Sequence, residues 1–132
     1  MITHPRTIRL HDTDAAGVLY FGALFPMAHE AYEAFMESIG FSIAGVLKQG
    51  RIALPIVHAE ADYAIPLRLG DGVEIEATPD QLGQSSFSIH FRVLNGGKVA
   101  ALVQTVHVCV NRRTGKKSRL PPKLAAAIKR AM

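Results

Sequence analysis

Only one stretch of this chain keeps a helical period for several turns. Leu24, Met27 or Ala28, Ala31, Phe35 and Ile39 recur at three- and four-residue spacing, while Glu30, Glu33 and Glu37 make an acidic stripe on another face. Most of the chain beyond Gly50 alternates with the two-residue period of strands. A lone amphipathic helix cannot bury its own apolar stripe, so it must be covered by the sheet. Pro26 has no N–H for a preceding turn, which places the start of the regular helix there, after an irregular approach over Leu19 to Phe25. Gly40 is placed to end it.

Thr7-Ile8-Arg9-Leu10 alternates and is expected to be a short first strand. After the helix, Ser42 can cap a short helical piece running to Gln49. Ile52 to Ile65 reads as a strand, with Pro55 arguing for an edge or a bulge at its start and Pro66 for its end. Gly70-Asp71-Gly72 marks a turn into the alternating Val73, Ile75 and Ala77, and Phe87, Ile89, Phe91 and Val93 repeat the pattern before a hairpin at Asn95-Gly96-Gly97. Val99 to Val110 is apolar on both faces in its first half, as a central strand is. A short helix follows Pro121 and Pro122, with Lys129 and Arg130 at the negative end of its dipole. The order implies an α+β protein: a first strand, one long helix, then four successive antiparallel strands curled around it.

A chain of 132 residues with 48% hydrophobic and 20% charged residues suits a single globular domain over 1–132, and excludes a disordered one. No apolar run reaches the length of a membrane span, since Val99 to Val110 is broken by Gln104, Thr105 and His107. The single cysteine, Cys109, permits no internal disulfide, and the Thr/His/Pro/Arg-containing start lacks the apolar segment of a secretory signal, so a cytoplasmic protein is expected. The formal charge of +4 favours anionic partners.

Between the first strand and the helix lies His11-Asp12-Thr13-Asp14-Ala15-Ala16-Gly17-Val18-Leu19-Tyr20-Phe21. Carboxylates at a strand-to-helix junction serve as caps or as catalytic groups, and the bare motif favours a cap. The motif has a wider context, however. Asp12-x-Asp14-x-x-Gly17-Val18-Leu19-Tyr20-Phe21, with Pro66, Gly70-Asp71 and a proline after a basic turn, resembles the hotdog-fold acyl-CoA thioesterases of the 4-hydroxybenzoyl-CoA thioesterase type from about Ile8 to Pro121. Within that family, His29-Glu30-Ala31-Tyr32-Glu33 and Ala53 to Ala59 look most like the 1,4-dihydroxy-2-naphthoyl-CoA hydrolases of quinone biosynthesis. Phe21 stands where many members carry His, which argues against the branch that uses that histidine, and His29 stands where many carry Glu.

The resemblance implies a hotdog fold, hydrolysis of an acyl-CoA thioester without a further cofactor, and a homodimer or tetramer. It assigns the catalytic carboxylate to Asp14, as nucleophile or as general base, and leaves Asp12 structural. Gly17 would permit a tight backbone passage, and N–H groups around Tyr20, Phe21 and Gly22 would polarise the thioester oxygen. His58 and Glu60, on one strand face extended by Asp62, could complete a neighbouring site in a dimer or form a plain interface row. His29 and Glu33 lie one turn apart, and a hydrogen-bonded couple is expected there in preference to a metal site. His90 and His107 are expected to be ordinary sheet residues, and Cys109 a small core side chain. Arg112, Arg113, Lys116, Lys117 and Arg119 surround Thr114-Gly115, as a solvated turn or as contacts to coenzyme A phosphates.

Other classes fit less well. A hotdog dehydratase would be expected to show a His shortly before a Pro-Gly pair, which is missing here. The aromatics Tyr20, Phe21, Phe25, Tyr32 and Phe35 gather near the helix and do not interleave with the basic cluster, which speaks against a nucleic-acid platform. An acyl-binding module without turnover would not need Asp14.

Overall fold

In the computed structural model, which describes residues 1–132, the helical period becomes α1 (Leu24–Ser38), entered through a 3-10 turn at Phe21–Ala23. The helix begins two residues before Pro26. Pro26 is its third residue, where an N–H would have no partner within the helix, so the ring removes no hydrogen bond. At the other end Gly40 takes φ +88°, and its N–H and that of Phe41 bond the carbonyls of Glu37 and Met36. Ser42 then caps α2 (Ile43–Gln49) by accepting from the Gly45 N–H.

The main sheet holds β1 (Ile2–Thr7), β3 (Ile56–Tyr63), β4 (Gly72–Leu82), β5 (Ser86–Asn95) and β6 (Lys98–Val108) in the order β1-β4-β5-β6-β3. Every neighbouring pair is antiparallel. A small second sheet pairs β2 (Ile52–Ala53) with β7 (Val110–Asn111), and α3 (Pro122–Ala131) ends the chain.

Three sequence expectations need correction. The first strand is Ile2–Thr7, and the expected Thr7 to Leu10 segment leaves the sheet to form a 3-10 turn at Leu10–Asp12. Pro5 is tolerated in β1 because that strand lies on an edge. The span from Ile52 to Ile65 is two strands, broken at Leu54-Pro55, with a register shift between Ile56 and His58. The four later strands are not a simple meander. β1 occupies the outer edge of β4, from Ile2 beside Ala77 to Thr7 beside Gly72, so β3 crosses over to the free edge of β6.

The alternation of β4 and β5 buries Val73, Ile75, Ala77, Phe87, Ile89, Phe91 and Val93 in one cluster with Met27, Ala28, Ala31, Phe35 and Met36 of α1. Each large side chain taken fully from water contributes roughly 1.5–3 kcal/mol. That packing holds α1 across the sheet. β3, like β1, has an outer edge that pairs with nothing, and on it Val57 stays 59% exposed.

Candidate active site

Neither aspartate of the motif caps α1, whose N-cap is Ala23 without a side-chain hydrogen bond. Asp12 is 4% exposed and closes the preceding turn by accepting from the Arg9 N–H at 2.8 Å. The Arg6 guanidinium bonds both of its oxygens and also reaches Glu30 of α1 at 3.1 Å. Those Arg6 hydrogen bonds hold the Asp12 carboxyl below the ordinary carboxylate range, against the opposing effect of burial. Arg6 and Asp12 together thus tie β1, the turn and the helix.

Asp14 sits in a turn of its own making. Its Oδ1 accepts from the N–H groups of Ala16 at 2.8 Å and Val18 at 3.3 Å, and its own N–H bonds the Val18 carbonyl. Gly17 closes the turn at φ +74°, a conformation disfavoured for residues with a Cβ. The second carboxylate oxygen, Oδ2, has no hydrogen bond, and the residue is exposed. A carboxylate held by one oxygen and free at the other can act as a nucleophile or a base.

The chain then reaches the helix through Tyr20, Phe21 and Gly22. The Tyr20 N–H, expected to be free, bonds the Asp12 carbonyl at 2.9 Å. Those of Phe21 and Gly22 have no acceptor within the protein. The Tyr20 and Phe21 rings touch, with centroids 4.7 Å apart, and both are exposed. Gly22 passes under the Tyr20 ring, where a Cβ would come within 2.8 Å of Tyr20 Cε1. The Tyr63 hydroxyl, from the end of β3, donates to the Phe21 carbonyl.

Along the same helix a cavity of about 540 Å³ opens between α1 and the sheet, lined among others by Phe25, His29, Tyr32, Glu33, Phe91 and His107. His29 therefore faces a pocket, its ring 5.5 Å from that of Tyr32. No group of three or more metal-ligating side chains gathers there or elsewhere. His58 and Glu60 contact each other at 3.4 Å on the exposed edge strand, and no hydrogen bond joins them to His29 or Asp14 within one protomer.

His107 is not an ordinary sheet residue. It is buried on the inward face of β6, stacked between Tyr32 and Phe87, and burial pushes its pKa down to about 4. The signal for it lies in the sequence: Val103, Thr105, His107 and Cys109 share the inward parity, and two polar residues there mark a partly polar interior. Cys109 is buried among core side chains, as expected.

The basic residues border a tight turn in which Asn111 Oδ1 accepts from the N–H groups of Arg113 and Thr114. Arg112 leans onto the Leu47 carbonyl of α2, and Arg113, Lys116 and Lys117 are exposed.

One long helix wrapped by a five-stranded antiparallel sheet is the hotdog fold, and the class of protein it frames here is that of the thioester hydrolases. The chain belongs to the thioesterase-like superfamily, whose family model matches residues 8–128. It is 42% identical over 120 residues to the 1,4-dihydroxy-2-naphthoyl-CoA hydrolase of Synechococcus elongatus, covering 90% of this chain and 88% of that protein. The hydrolase of the same name from Gloeothece citriformis is 41% identical over 124 residues, covering 92% of this chain and 87% of its own. Among solved structures, a 1,4-dihydroxy-2-naphthoyl-CoA thioesterase from Synechocystis superposes with a TM-score of 0.89 at 35% identity, covering 96% of this chain and 94% of that one.

Proposed function

We propose that this protein hydrolyses 1,4-dihydroxy-2-naphthoyl-CoA, releasing the naphthoate and coenzyme A in phylloquinone or menaquinone biosynthesis. The observation that carries this reading is the 42% identity, over 90% of the chain, to a hydrolase of that thioester. Asp14 is the catalytic carboxylate. Supporting it, Oδ1 is held by two N–H groups while Oδ2 is free, and the N–H groups of Phe21 and Gly22, seven and eight residues on in the same junction, are unpaired. Those donors receive the negative charge that develops on the thioester oxygen, an effect worth about a hundredfold or more per donor.

As nucleophile, Asp14 displaces the coenzyme A thiolate to give a mixed anhydride that water then opens. As base, it takes a proton from the water that attacks directly. In both routes one water is consumed and the thiolate leaves and is protonated. Gly17, Tyr20 and Phe21 shape the approach, His29 faces the acyl group, and Arg112, Arg113, Lys116 and Lys117 meet the coenzyme A phosphates.

A second copy completes the site. Two-fold pairing of the free β3 edges is antiparallel, and it brings the Ile56 end of one strand, with its cavity, beside the Tyr63 end of the other. His58 and Glu60 of one protomer then face the Asp14 turn of its partner. The whole chain acts as one cytoplasmic domain, as a dimer or a pair of dimers, with no cofactor beyond the coenzyme A of the substrate. No helix is long and apolar enough to cross a membrane.

The test is thiol release from 1,4-dihydroxy-2-naphthoyl-CoA, 4-hydroxybenzoyl-CoA and an aliphatic acyl-CoA by wild type and Asp14→Asn. A preference for the naphthoyl ester, with a loss of at least about a thousandfold in the folded variant, is expected. A different preferred ester overturns the substrate alone. Equal rates for variant and wild type overturn the role of Asp14.

A further inference from the structure

Tyr32, one of the residues lining the cavity beside α1, carries a polar group that the fold does not use. Tyr32 is 3% exposed, and its hydroxyl is buried without a hydrogen-bond partner. Leaving such a group unpaired costs stability, so its retention in a folded protein calls for an explanation, and a ligand that supplies the partner is one. Tyr32 lines the cavity of about 540 Å³ and also a second one of about 300 Å³ running under α2, so it stands where the two meet.

His107 does not serve as that partner. Its Nδ1–H donates to the Leu54 carbonyl at 3.4 Å and its Nε2 accepts from the Thr105 hydroxyl at 3.0 Å, the tautomer being set by those two neighbours. With both nitrogens engaged, the imidazole offers Tyr32 only its face, at 4.3 Å and 17°. Phe87 stacks on His107 at 5.0 Å and 6°. The three stacked rings fix where the Tyr32 hydroxyl stands. Burial raises the Tyr32 phenol above its ordinary value, so it remains a neutral O–H, able to donate and to accept.

We infer that the Tyr32 hydroxyl is the specificity group for the acyl ring: it hydrogen-bonds a ring oxygen remote from the thioester, which in the proposed substrate is the 4-hydroxyl. The inference rests on the proposed substrate and deepens that reading. The apolar cavity wall accepts the ring system, and Tyr32 selects rings that carry an oxygen at that depth. A site built around an unpaired polar group rejects a ligand lacking the complementary one far more strongly than an apolar wall rejects a missing methylene.

The experiment compares wild type with Tyr32→Phe on 1,4-dihydroxy-2-naphthoyl-CoA and on 1-hydroxy-2-naphthoyl-CoA, which lacks only the distal hydroxyl. Wild type is expected to favour the dihydroxy ester by about tenfold to a hundredfold in kcat/KM, and Tyr32→Phe to bring the two within about threefold. The thermal midpoint of Tyr32→Phe should be unchanged or raised, because the variant removes an unpaired hydroxyl from an apolar place. An equal loss on both esters, or no loss on either, overturns the inference and leaves the substrate reading standing. So does a midpoint lowered by several degrees, which would mean that the hydroxyl is paired within the fold. Failure of wild type to hydrolyse either naphthoyl ester overturns the substrate reading, and the inference with it.

Discussion

The Tyr63 hydroxyl donates to the carbonyl oxygen of Phe21. That carbonyl belongs to the same planar peptide unit as the Gly22 N–H, and in a trans peptide the two point in opposite directions. Holding the oxygen therefore aims the N–H. The end of the edge strand thus fixes one of the two unpaired donors ahead of α1. Tyr63→Phe keeps the ring and loses that hold, so kcat should fall by about fivefold to tenfold with KM changed less than twofold, as one hydrogen bond of about 1 kcal/mol would give. Steady-state kinetics on the preferred thioester decide this, and a variant altered only in KM would detach Tyr63 from the donor.

Stability should depend on pH through His107. Its folded pKa of about 4 lies below the ordinary value of 6.5, so between these values the unfolded chain binds more protons than the folded one. The stabilisation is complete above about pH 6.5 and is lost as pH falls towards 4, amounting to about 3 kcal/mol in all. Urea midpoints at pH 7 and pH 5 should show wild type losing stability and His107→Gln losing markedly less. Parallel losses in both proteins would place the titration elsewhere.

The basic turn after β7 should act on coenzyme A and not on the acyl group. The double variant Arg113→Ala, Lys116→Ala is expected to raise KM for the coenzyme A thioester by about fivefold to tenfold at low salt, less at high salt, with kcat within twofold. The same acyl group on N-acetylcysteamine, a thiol without phosphates, should be hydrolysed unchanged. An equal rise in KM on the short thioester would remove these residues from phosphate recognition.

Much of this protein is set by short-range pattern. The period from Leu24 to Ile39, the glycine at 40, the Ser42 cap and the Asn95-Gly96-Gly97 hairpin all specify local backbone geometry, and each stands where expected. The Asp14 turn is of the same kind, because the carboxylate, Gly17 and the N–H groups it binds lie within a few residues of one another. Tertiary structure decided what depends on residues distant along the chain. β1 claimed the edge of β4 and sent β3 to β6, a choice between equivalent edges that alternation cannot make. Asp12 became a buried anchor only because Arg6 of β1, itself bonded to Glu30 of α1, reaches both of its oxygens. The Tyr20 N–H was used by a carbonyl eight residues earlier, leaving Phe21 and Gly22 as the free donors. Tyr32 and His107 are 75 positions apart in sequence and stack because α1 crosses the inward face of β6. Periodicity reports which face a residue occupies. It does not report what it meets there, which long-range packing alone fixes.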